Sequence, residues 1–193
     1  VTGDGEPSLP VLCDEWLELR NEARGDSTWR SAEASREARA DVLADMARRI
    51  PFAYVPRFYE PEYGDNGRYV KLHPTRDGIP ETIEPSVISD LDGIPLPTAP
   101  IVPFVECVHD RIAIEIMRGC PWQCRFCQST VIKRPLRIRE VETIVSAALE
   151  SYRNTGYNEI SILSLSTSDY PHFELLMRRL QETFQPLGVN IGV

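Results

Sequence analysis

Residues 118–128 read Arg118-Gly119-Cys120-Pro121-Trp122-Gln123-Cys124-Arg125-Phe126-Cys127-Gln128, with three cysteines crowded into eight positions. Directly before them runs Ile112-Ala113-Ile114-Glu115-Ile116-Met117, an apolar stretch that reads as a strand. Gly119 permits a sharp turn after that strand, and Pro121 biases Cys120 away from helical geometry. The segment therefore reads as a loop that can fold round something. Thiolates are the usual ligands of iron–sulfur clusters, and cysteines spaced as CxxxCxxC let one loop wrap a cubane. Three thiolates for four irons leave one iron open, as catalytic metal sites do and purely structural ones do not.

Downstream, the pattern turns helical from about Arg139, with Val141, Ile144, Val145, Ala148, Leu149 and Tyr152 at offsets of three and four. Gly156 lies just beyond, as a C-terminal stop should. Glu159-Ile160-Ser161-Ile162-Leu163-Ser164-Leu165 reads as a second strand. A helix from near Pro171 carries Phe173, Leu176, Leu180 and Phe184 inward, and a third strand opens at Val189. Strand, helix, strand, helix, strand at this spacing means parallel βα units, so the fold class is α/β. Active sites in such folds sit at the carboxyl ends of the strands, where both the cysteine loop and the Ser166 segment fall.

Upstream, Gly3-Asp4-Gly5-Glu6 reads as a turn after the end of a strand. Ser8 is the expected cap of a helix whose first turn holds Pro10 and whose apolar face is Leu9, Leu12, Cys13, Trp16 and Leu19. Asn21 to Ser31 reads as a polar loop. A second helix is expected from about Ser31 to Arg49, burying Val42, Leu43, Met46, Ala47 and Ile50 and ended by Pro51. Prolines then recur at positions 56, 61, 74, 80, 85, 95, 97 and 100, among short pieces such as Phe52-Ala53-Tyr54-Val55 and Arg68-Tyr69-Val70-Lys71-Leu72. Such spacing forbids long helices and central strands, which leaves an ordered connector with a few short strands. The chain opens on a turn and closes on a strand just beginning, so it is expected to be a fragment of a longer protein.

A hydrophobic fraction of 42% and 26% charged residues suit a soluble globular chain. The net charge of −8 argues against a general binder of nucleic acid or anionic membrane. No apolar run approaches the ~18 residues a membrane span needs, so no membrane association is expected. Clustered cysteines without a secretory signal point to metal ligation in a reducing compartment, which makes the cytoplasm the expected location. Arg118, Arg125, Lys133, Arg134, Arg137 and Arg139 follow one another with no acidic residue between them. They read either as a solvated surface or as a positive rim round an anionic cluster or substrate.

The CxxxCxxC triplet at a strand's end, with Phe126 just before the last cysteine, is similar to that of the radical S-adenosylmethionine (SAM) superfamily. The resemblance implies a 4Fe–4S cluster held by Cys120, Cys124 and Cys127, whose fourth iron binds SAM through its amino and carboxylate groups. It further implies that an electron from the reduced cluster cleaves SAM to methionine and a 5′-deoxyadenosyl radical, which takes hydrogen from substrate. A one-electron reductant such as flavodoxin or ferredoxin is implied with it. Phe126 is then a cofactor-binding residue. So are Ser166, Thr167 and Ser168, which stand where the superfamily has a Gly-Gly-Glu-like segment contacting the SAM amino group. This chain lacks that motif, but hydroxyls and backbone carbonyls there can still accept hydrogen bonds from an ammonium.

Longer stretches, namely Val108-His109-Asp110-Arg111, Glu115 to Cys120, Cys124 to Gln128, and Leu163 to Pro171, resemble a subgroup of cobalamin-domain radical SAM proteins. There a Rossmann-like, cobalamin-binding-like domain precedes the barrel, often ending in a Gly-x-Gly-Glu turn like Gly3 to Glu6. The implied layout is residues 1–25 as the tail of that Rossmann-like domain, 26–99 as a helix plus Pro-rich connector, and 100–193 as the start of a radical SAM partial (β/α) barrel. Any cobalamin would belong to the upstream domain.

Other readings stay open. A methylthiotransferase-like radical SAM enzyme acting on tRNA or a ribosomal protein uses a similar triplet, a cobalamin-dependent methyl-transferring radical SAM enzyme is another alternative, and a metal-binding interaction module would need no catalysis. A structural zinc site could recruit Cys107 or His109 as a fourth ligand. Cys13 and Cys107 otherwise read as buried free thiols, His109 as a structural hydrogen-bonding residue, and Asp169 as the cap of the helix after Pro171.

Overall fold

The computed structural model describes residues 3–25, 32–105 and 107–193. The chain divides into two compact units, Val1–Ile88 and Ser89–Val193. Among the described residues no helix is long and apolar enough to cross a membrane.

In the first unit, helix α1 spans Gly5–Gly25 and α2 spans Ala32–Arg49. The first helix begins earlier than Ser8, which instead donates from its hydroxyl to the Asp4 carbonyl at 2.6 Å one turn back. Its last residues extend into the stretch expected as a loop, while positions 26–31 lie outside the described residues, as do Val1 and Thr2. Leu19 is buried, with Leu12 and Trp16 partly so, against Val42, Met46, Ile50 and Ala53. Leu9 and Cys13 are exposed, which corrects the reading of Cys13 as a core thiol. The second helix is buried on two sides rather than one. Its Ala44 and Ala47 pack against Phe58, Tyr59 and Ile79, because alanine's small side chain lets another layer approach.

That further layer includes an antiparallel hairpin of β1 (Tyr59–Tyr63) and β2 (Tyr69–Pro74). Phe52 to Val55 does not form a strand. Pro61 sits inside β1, tolerated because a two-stranded sheet leaves each strand one edge on which no amide is needed. Gly3 answers to a close approach. With φ +95 it bridges Ser86, whose carbonyl would lie 2.0 Å from any Cβ placed there. Asp4 completes the contact, donating its amide to the Ser86 carbonyl and accepting the Ile88 amide on its carboxylate at 2.8 Å.

The second unit carries a parallel sheet. Strands β3 (Ile112–Glu115), β6 (Glu159–Leu163) and β7 (Asn190–Gly192) lie side by side in that order, all parallel. Between them in the chain come β4 (Met117–Arg118), the short α3 (Ser129–Ile132), β5 (Arg137–Ile138), then α4 (Val141–Thr155) and, after β6, α5 (Phe173–Phe184). Ile112, Ile114, Ile160 and Ile162 bury one face of the sheet under Ile144, Val145, Ala148, Leu176, Leu180 and Phe184. The helical stripes read from the sequence are the ones buried. Gly156 adopts φ +71 at the end of α4, its amide bonded to the Tyr152 carbonyl at 2.8 Å.

Two departures concern the site. The first expected strand breaks at Ile116, whose amide bonds the Leu163 carbonyl while its own carbonyl accepts the Arg139 amide at 2.9 Å. The chain thus leaves the parallel ladder, and Met117–Arg118 pairs antiparallel with Arg137–Ile138. For the same reason α4 starts at Val141 instead of Arg139. Arg137 and Arg139 are buried, correcting any place for them in a surface rim. Arg139 donates to the Ile94 carbonyl at 2.7 Å, and its own carbonyl accepts the Tyr170 hydroxyl at 2.6 Å.

Candidate functional site

The cysteine loop leaves the carboxyl end of β4 at Gly119, which takes φ +100. A Cβ here would lie 2.8 Å from the Lys133 carbonyl and 3.1 Å from the Pro135 carbonyl, so the loop's two ends cross where only glycine fits. Cys120 and Cys127 are half-buried and Cys124 is exposed, and all three thiols are free. The Cys127 amide bonds the Cys124 carbonyl at 3.0 Å, closing a tight turn between the last two cysteines. Hydrogen bonds from the Ser129 hydroxyl and amide hold the Cys127 thiol below its ordinary value, and these outweigh the opposing effect of burial. Its thiolate, the form that binds metal, is thereby favoured.

Facing the loop at the same end of the sheet is the segment after β6. Ser164 pairs hydroxyl to hydroxyl with Thr167 at 3.0 Å, and Thr167–Asp169 forms a single 3-10 turn. Ser166 and Thr167 are half-buried and Ser168 is exposed. Asp169 does not cap α5, whose N-cap is His172. Its carboxylate accepts the Ser166 hydroxyl and the Trp122 indole N–H, the latter at 2.5 Å. Both bonds hold Asp169 below the usual carboxylate range. The structure therefore ties the cysteine loop to the Ser166 turn through two side chains that the spacing of the cysteines gave no reason to connect.

A pocket of about 310 Å³ opens beside the loop, lined by Glu115, Met117, Arg118, Gly119, Lys133, Leu163, Ser164 and Leu165. Arg118 is half-buried and grips Glu115 through two parallel bonds of 2.9 and 2.7 Å. Much of its charge is thus answered by Glu115, whereas Arg125, Lys133 and Arg134 are exposed. Phe126 stands 92% exposed beside Cys127.

Among the described residues no three His, Cys, Asp or Glu side chains converge as they would on one ion. A cubane does not demand this, since each of its protein ligands binds a different iron. The donor set fits such a cluster: three free thiols on one loop, one of them biased toward thiolate. A four-ligand zinc site fits worse. Cys107 and His109 precede β3, at the opposite end of that strand from the cysteine loop. Cys107 is exposed, with its amide on the Asp110 carboxylate, and His109 pairs with Arg111 at 2.9 Å in the structural role expected of it.

The second unit thus sets three free cysteines on one loop at the carboxyl end of its strands. Residues 114–191 match the family model described as the Radical SAM superfamily. Members of that superfamily are enzymes that use a 4Fe–4S cluster and SAM and need a reductant, and the match supports an enzyme here. The chain is also similar to the uncharacterized protein MJ0966 of Methanocaldococcus jannaschii, at 32% identity over 79 residues. That alignment takes in 41% of this chain but spans only 17% of the relative's length.

Proposed function

We propose that residues 100–193 are the N-terminal part of a radical SAM (β/α) barrel, in which Cys120, Cys124 and Cys127 hold a 4Fe–4S cluster. The observation that carries this reading is the position of the three free thiols, on one loop at the carboxyl end of the strands and inside the segment that matches the superfamily. When bound, the reduced cluster and SAM supply a 5′-deoxyadenosyl radical for hydrogen abstraction from substrate. The chain's own residues place and shield these groups. Gly119 lets the loop ends cross, and Ser129 favours the Cys127 thiolate. Hydroxyls and carbonyls of Ser166, Thr167 and Ser168 offer acceptors to the SAM ammonium, and the exposed ring of Phe126 offers an apolar surface that excludes water from it.

Within that class the subgroup we favour is the cobalamin-domain radical SAM proteins. Residues 1–25 would be the tail of a Rossmann-like domain and 26–99 a helix and connector. The docking of Gly3 and Asp4 onto Ser86 to Ile88 supports the importance of that turn. In such a barrel, loops at the carboxyl ends of the strands would choose the substrate.

Anaerobic reconstitution tests the reading. The full-length protein, reduced with dithionite, is expected to convert SAM to 5′-deoxyadenosine, and absence of that product counts against it. Cys124→Ala should lose the broad absorbance near roughly 400 nm typical of such clusters. Absorbance retained in that variant would remove Cys124 from the ligand set. The subgroup stands or falls separately, on whether the full-length protein retains cobalamin.

A further inference from the structure

Trp122 lies between the first two cysteines, and 56% of it is exposed. Burial therefore does little to fix it. What it does have is a bond across 47 positions of sequence, from its indole N–H to the Asp169 carboxylate at 2.5 Å. An indole nitrogen is a donor only and an ionised carboxylate an acceptor only, so the pair is chemically matched and charge-assisted. The same carboxylate oxygen accepts the Ser166 hydroxyl. The Ser166 amide in turn donates to the Ser164 hydroxyl at 3.2 Å, which also pairs with Thr167. A continuous run of hydrogen bonds thus leads from the cysteine loop to the turn carrying Ser166 and Thr167. Asp169 is committed to this run, since α5 is not capped by it.

We infer that Trp122 and Asp169 form a latch that sets the cysteine loop in register with the Ser166–Ser168 turn. They are positioning residues: the loop binds metal through its cysteines, and the latch holds the turn where it can meet a ligand of that metal. The inference rests on the radical SAM reading for what the ligand is, but the latch itself is a property of the protein without metal.

Trp122→Phe keeps the ring and removes the donor. Asp169→Ala removes the acceptor, and Asp169→Asn leaves a neutral one that can still take the indole N–H. In the metal-free chain, hydrogen exchange over residues 119–128 is expected to be faster in the first two variants and near wild type in Asp169→Asn. After anaerobic reconstitution, iron and sulfide content should match wild type in all three, since no cysteine is touched. SAM affinity, measured by equilibrium dialysis and by the SAM-induced change in the electron paramagnetic resonance of the reduced cluster, should fall roughly fivefold in Trp122→Phe and Asp169→Ala. Asp169→Ala also releases the Ser166 hydroxyl, so the double variant should be no weaker than Asp169→Ala alone, in which the Trp122 bond is already lost. Rescue by Asp169→Asn separates positioning from damage to the fold. Unchanged exchange and SAM affinity in both single variants, or losses that add in the double variant, would overturn the latch. Wild-type protein that assembles no cluster or binds no SAM would instead overturn the functional reading beneath it.

Discussion

At the residue scale, Gly119 and Tyr170 each answer to one local demand. Gly119 combines a left-handed φ of +100 with backbone 2.8 Å from where a Cβ would stand. Gly119→Ala must move the Lys133 to Leu136 segment of the crossing or strain its own backbone, and is expected to destabilise the metal-free chain by about 1–3 kcal/mol in urea unfolding. Tyr170 is buried and donates to the Arg139 carbonyl at 2.6 Å. Burial, together with the negative charges of Glu140 and Asp92, pushes its phenol up to about 12. Between its unfolded value and that folded one, the unfolded chain gives up a proton that the folded chain keeps. The stability tied to this group is therefore complete below pH ~10 and is lost as pH rises toward the folded value. Tyr170→Phe should lower stability near neutral pH by about 1 kcal/mol through the lost hydrogen bond. It should also flatten the alkaline part of the stability curve, which denaturation midpoints across that range would record.

At the scale of elements, α4 begins without a capping side chain of its own. Asp92, far earlier in the chain, does that work: its carboxylate accepts the Glu140 amide at 2.9 Å and the Thr143 hydroxyl at 2.8 Å. Asp92→Ala is expected to cost about 1 kcal/mol in chemical denaturation, with Asp92→Asn losing less because asparagine also caps. This contact explains which parts of the fold can be read in advance. The stripes of α4 and α5 are local, spaced by three and four, so Ile144, Ala148, Leu176, Leu180 and Phe184 announce their burial. Strands of two residues have no such period. Met117–Arg118 and Arg137–Ile138 exist because they pair with each other across the whole cysteine loop. Arg139 is buried because the Ile94 carbonyl happens to receive it. Charge alone suggested a surface for both arginines, and non-local pairing decided otherwise.

At the scale of the whole chain, the same division holds for the site. The cysteines are legible because ligand chemistry demands close spacing, whereas the bond from Trp122 to Asp169 joins loops that only the sheet brings together. The net charge of −8 bears on the proposed metal centre as well. Arg125, Lys133 and Arg134 are exposed near the loop and would offer positive charge to an anionic cluster of the proposed kind. Iron should then act on the folded state as a ligand that binds it in preference to the unfolded chain, and such binding raises stability by mass action. Anaerobically reconstituted protein is expected to unfold at a higher temperature than the same protein stripped by chelator. The shift should vanish in Cys124→Ala, while the metal-free forms of the two melt alike, because Cys124 is exposed and its thiol contributes little to packing. A shift of equal size in wild type and Cys124→Ala would mean that iron stabilises the chain somewhere other than this loop.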